Sequence, residues 1–158
     1  MSLFEMPTLM AGVTETGGFG AAVKARSNIF DMTQAAEEAV LRPDECGAFP
    51  HDMRAALAAR IAAQSGDRVL AEHHAKAAGA MAPLSDPTQD GTASHPVLIA
   101  FVDKAANATK DIAAEDITRL QSAGVGDADI VRLCELVAFV AYQLRVVAGL
   151  RLMQGGKT

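Results

Sequence analysis

DADIVRLCELVAFVAYQLRVVAGLRLMQ, residues 127–154, decides the fold. Ile130, Leu133, Leu136, Val140, Leu144 and Val147 recur at helical spacing, and Val131, Phe139 and Leu150 extend the apolar surface to nearly every side. Asp127 stands where a side-chain oxygen caps a helix start. A helix apolar all round has to be covered all round, which in a small domain predicts a central position and a subunit interface. The expected architecture is therefore all-α: a helical bundle, oligomeric, with its long C-terminal helix buried. The expected partner is the chain itself, as a homodimer, trimer or hexamer. A lone central helix in a monomeric bundle is the competing reading.

Composition agrees with that starting point. The chain has 158 residues, 50% hydrophobic and 21% charged, with 4% aromatics and no Trp. Abundant Ala with few aromatics favours closely packed helices over sheets. At this length a fold buries about 70% of the surface its unfolded chain exposes, so no disulfide or metal staple is needed. A net charge of −5 without any basic run leaves no footprint for nucleic acid. The start, MSLFEMPTLMAG, lacks a basic leader segment, and no apolar stretch reaches about 18 residues without a charge. The expectation is a cytoplasmic protein without a membrane partner. Cys46 and Cys134 stand far apart, without metal-type spacing, and neither a metal nor a cofactor is expected.

Working outward from the long helix, Gly124 closes a short helix over about 113–122, with Glu115 and Asp116 at its positive end. Pro96 opens another, running to about Thr109. Residues 81–94 (MAPLSDPTQDGTAS) read as the longest loop. Before it, Pro50 opens a helix carrying Met53, Leu57 and Ile61, interrupted by Ser65-Gly66-Asp67; a second begins at Asp67 and closes at Gly79. A first helix spans about 21–41, stopped by Arg42-Pro43. Gly12, Gly17, Gly18 and Gly20 make residues 1–20 a flexible arm ahead of a single domain, 21–158. No internal repeat or heptad run is visible.

Two blocks, Met53–Gly79 and His95–Met153, carry a further signal. In the second, AAEDITRLQSAGVG leads into a D-x-x-I-V helix that ends Y-x-x-R-x-x-x-G-L. This combination resembles the AhpD-like alkylhydroperoxidase group of the carboxymuconolactone decarboxylase superfamily, and is nearest its peroxidase-related subgroup. Peroxidase members carry a Glu, a C-x-x-C twelve residues on, and a His four residues past the second Cys. With His73 as the matching His, the thiol positions fall on Gly66 and Val69 and the acid position on Arg54. The resemblance thus implies an AhpD-like fold from which the dithiol centre is missing.

His73 titrates near neutrality, and Arg54 supplies a fixed fork of donors, so these two are the candidate catalytic residues. Gly66, Asp67, Val69, Tyr142 and Arg145 are the candidate pocket lining. Alternatives stand beside them. Arg54 is also placed to pair with Asp31, Glu37 or Glu38, and Arg145 with Asp129, Glu135 or an acid of another subunit. Adjacent helical residues diverge, so at most one of His73 and His74 is expected in a site. The expected function is binding of, or acid–base chemistry on, a small carboxylated molecule. A peroxidase route through Cys46 or Cys134, and a non-catalytic interaction subunit, are the alternatives.

Overall fold

The computed structural model describes residues 2–9, 14–89 and 94–155. Gly12, within the expected arm, and residues 90–93, within the expected long loop, lie outside them. The fold is all-α, with seven α-helices among the described residues: α1 (Gly17–Lys24), α2 (Ser27–Leu41), α3 (His51–Gln64), α4 (Arg68–Ala75), α5 (Pro96–Asn107), α6 (Ala114–Ser122) and α7 (Asp127–Met153). Short 3-10 turns occupy Leu3–Glu5, Gly79–Ser85 and Thr109–Asp111, and no strand occurs among the described residues.

The centre of the molecule is α3. Every residue from Met53 through Ala62 is buried, and α2, α4, α5, α7 and the Gly79–Ser85 turn all pack on it. Its alanines explain this: Ala55, Ala56, Ala58, Ala59 and Ala62 cost no side-chain entropy and let neighbouring backbones approach from several sides. The long helix α7 takes a different place from the one its composition predicts. Ile130, Leu133, Leu136, Val137 and Val140 face the core, yet Val131 is 56% and Leu152 57% exposed. Within one chain α7 is covered on one side only. By length and composition alone it would also suffice to cross a membrane.

Local signals set the boundaries. Gly66, at φ +83°, makes the turn between α3 and α4 that a side chain would strain, and Asp67 then accepts a hydrogen bond from the Leu70 N–H, capping α4. α4 stops at Ala75, ahead of the expected Gly79, because Gly79 at φ +48° instead opens the 3-10 turn through Ser85 that fills the first part of the expected loop. The expected first helix is two, α1 and α2, broken at Ala25-Arg26.

Residues 2–9 are no loose arm either. Met6 and Leu9 bury themselves with Val23 and Phe30 in a second apolar cluster, partly closed by Val146 and Leu150 of α7. Glycine content further along predicted mobility for the whole segment, but the apolar residues ahead of Gly12 have a surface to bury against.

Candidate functional site

Three helix ends converge on a cavity of about 330 Å³. Leu41 and Arg42 come from the end of α2, His51 and Ala55 from the start of α3, and His73, His74, Lys76 and Ala77 from the end of α4. Its lining holds two cations and three imidazoles, and no carboxylate. Arg42 forks onto Glu38 one turn back, while Lys76 is exposed and forms no ion pair among the described residues. His51 shares a 2.8 Å hydrogen bond between its Nε2 and the Pro43 carbonyl, which fixes the imidazole at the rim.

Behind the cavity lies a buried polar network. Glu37, 1% exposed, occupies the inward stripe of α2 with Phe30, Thr33 and Leu41. Its Oε2 accepts from Gln143 Nε2 at 2.8 Å, and the same Nε2 lies 3.4 Å from Thr8 Oγ1. The Gln143 carbonyl oxygen accepts from His74 Nε2 at 3.0 Å, so His74 is the Nε2–H tautomer, as this amide orientation requires. One atom is left over. Glu37 Oε1 is buried without a hydrogen bond, with the Arg42 guanidinium 3.7 Å away and His73 Nε2 4.0 Å away. A buried acceptor without a donor is costly, and this one lies between two groups of the cavity wall.

Burial sets the protonation of these groups. Desolvation pushes the Glu37 carboxyl above its ordinary value, against the opposing pull of the Gln143 hydrogen bond and Arg42. Desolvation also lowers the His73 imidazole, assisted by Lys76 and Arg42. His74 is carried down to about 4, mainly by burial, with the Gln143 hydrogen bond opposing. At neutral pH the site therefore holds two uncharged imidazoles beside a carboxyl with an increased hold on its proton.

The sequence-expected residues distribute unevenly around this arrangement. His73 lines the cavity, and so does His74. Two adjacent residues meet in one site because it sits at the helix end, where the rings turn toward each other edge to face, 5.2 Å between centroids.

Arg54 leaves the site. Its three nitrogens donate to the carbonyls of Phe49 (2.7 Å), Val40 (2.7 Å) and Cys46 (2.8 Å), so it pins the α2–α3 connection instead of pairing with Asp31, Glu37 or Glu38. Within that connection Gly47 adopts φ +59°, and a Cβ there would strike the Asp129 carboxylate that accepts the Ala48 N–H.

Gly66, Asp67 and Arg145 line a separate cavity of about 230 Å³ with Arg151. There the Asp67 carboxylate is taken by Arg151 through two bonds of 2.9 and 3.1 Å. Val69 is 47% exposed. Tyr142 bonds Thr33 Oγ1 at 2.8 Å; because that hydroxyl already donates to the Ile29 carbonyl, the tyrosine is the donor. Arg145 is exposed and has no ion pair among the described residues; Asp129, one of its expected partners, takes Arg132 instead.

Glu37, Arg42, His51, His74, Gln143 and Thr8 were not expected in a site. Two of them carried a readable signal: Glu37 on the apolar stripe of α2 and Gln143 inside the apolar α7 are polar residues where a core face requires a partner. Among the described residues no group of three His, Cys, Asp or Glu is placed to hold a metal ion. Compared with known protein families, curated proteins and solved structures, the chain matches none.

Proposed function

We propose that this chain is a divergent AhpD-like protein of the carboxymuconolactone decarboxylase type, without a dithiol centre, that binds a small carboxylated molecule in the His73 cavity and exchanges a proton with it. The observation that carries the reading is the cavity wall, which offers Arg42, Lys76 and three imidazoles to a bound anion while a Glu37 oxygen without a hydrogen bond lies behind it. Lys76, exposed at the cavity and without an ion pair among the described residues, holds the carboxylate, with Arg42 supplying the second positive charge. His73, which lines the cavity, exchanges the proton with the ligand, and the buried Glu37 carboxyl 4.0 Å behind it, raised above its ordinary value by desolvation, is the carboxyl partner of that imidazole. Gln143 and His74 are positioning residues that hold the other Glu37 oxygen still. Neither Cys46 nor Cys134 lines this cavity, and burial raises the Cys134 thiol, which lowers its thiolate fraction; the thiol route has no comparable support.

Titration with acetate, pyruvate and malonate, followed through the histidine ring resonances, tests this reading. Saturable shifts of His73 and His74, weakened at least ten-fold in the Arg42→Ala, Lys76→Ala double variant, are expected. No saturable shift with any of the three, or equal binding by the double variant, overturns it.

A further inference from the structure

The solvent side of α7 carries a pattern that appears only once the buried residues are set aside. Val131, Cys134, Ala138, Ala141, Arg145, Ala148 and Leu152 alternate spacings of three and four, and none of them is buried. That alternation is the seam of a left-handed helix pair, sustained here for three heptads. Small residues at its centre allow two helix axes to approach to about 8 Å. Beside it lies a cavity of about 610 Å³, bounded by Phe101 and Ala105 of α5, Ile112, and α7 itself, which gives partner side chains apolar space to enter.

We propose that this face is a self-association seam on which two copies of the chain pack α7 antiparallel about a two-fold axis at the Ala138–Ala141 level. Charge selects both the partner and the direction. Arg145 and Glu135 are exposed and have no ion pair among the described residues. At about 1.5 Å rise per residue, Arg145 lies roughly 8 Å to one side of the proposed axis and Glu135 roughly 7 Å to the other. Antiparallel packing therefore sets Arg145 beside Glu135 of the partner subunit, twice by symmetry. Parallel packing would set each charge against its own kind. A lipid surface fits less well, because hydrocarbon would have to accept both charges at mid-helix. This inference is independent of the proposed ligand.

Size-exclusion chromatography with light scattering is expected to give twice the chain mass of 16.5 kDa at micromolar concentration. Arg145→Glu should weaken the dimer at least ten-fold, and Glu135→Arg with Arg145→Glu should restore it, since the swap rebuilds both pairs. Circular dichroism melts of each variant verify that the fold persists. In a Cys46→Ser, Cys134→Ser background, chains carrying Val131→Cys should form disulfides with chains carrying Ala148→Cys under mild oxidation, and neither should do so alone, because each would sit about 25 Å from its own copy. A monomeric wild type, failure of the charge swap to restore association, or self-crosslinking of the Val131→Cys chain overturns the proposal. So does sedimentation with anionic vesicles in place of dimer formation.

Discussion

His74 shows what burial does to a single side chain here. Its imidazole is 3% exposed, its Nε2–H is committed to Gln143, and its pKa falls from the ordinary 6.5 to about 4. The folded state therefore binds fewer protons than the unfolded state between those two values, and stability falls as pH drops through that window. The loss should reach on the order of 3 kcal/mol near pH 4 and vanish above about pH 7. His73, also lowered, acts in the same direction, whereas Glu37, raised, favours the folded state at low pH and loses that contribution as pH rises. The prediction is therefore a difference: His74→Gln, which keeps a donor for Gln143 but does not titrate, should lose less stability between pH 7 and 4.5 than the wild type in urea melts. Equal losses would mean that His74 is not the titrating group. Arg54 carries the complementary lesson. A cation that the family resemblance alone aligned with an acid position is spent on three backbone carbonyls, and those contacts depend on a turn that a motif alignment does not encode.

At the scale of elements, the junction of α3, α4 and α7 turns on Asp67, which caps α4 through Leu70 and receives Arg151 from the last turn of α7. Losing the cap alone costs about 1 kcal/mol, and the paired, mostly buried carboxylate adds to that. Asp67→Ala should destabilise the protein by about 2 kcal/mol. Hydrogen exchange should then accelerate both at the start of α4 and in the last turn of α7, while a change confined to α4 would show that the Arg151 pair contributes nothing. Boundaries such as this one were legible in the sequence because caps and turns are local chemistry: Asp67, Pro96 and Gly124 act within one helical turn, whereas Asp127, expected to cap α7, is its first helical residue behind a Gly126 cap and instead accepts from Gln121. The early end of α4 was not, since Gly79 closes nothing and opens the 3-10 turn to Ser85 instead.

For the whole molecule, the N-terminal segment joins the core to the site. Leu9 is 1% exposed among the second apolar cluster, and the neighbouring Thr8 hydroxyl meets Gln143, which in turn holds Glu37. Leu9→Ala should cost about 2–4 kcal/mol. If the segment positions the network as well, the Glu37 carboxyl resonance and its titration should change in the same variant, whereas Met6→Ala, farther along the segment, should lower stability with a smaller effect on that signal. A stability loss of less than about 0.5 kcal/mol in Leu9→Ala would remove the segment from the core.

The sequence by itself determined the all-α class, the ends of α5, α6 and α7 and the turn at Gly66-Asp67, because helical periodicity, caps and proline positions act between residues close along the chain. Only the tertiary structure decided that α3 and not α7 is the helix covered on every side, that α7 keeps an open heptad face, and that Glu37, Gln143, His74 and Thr8 form one network. Those four residues come from segments as far apart as positions 8 and 143. Their meeting follows from which apolar faces pack together, and a periodic pattern on one helix does not specify its partner.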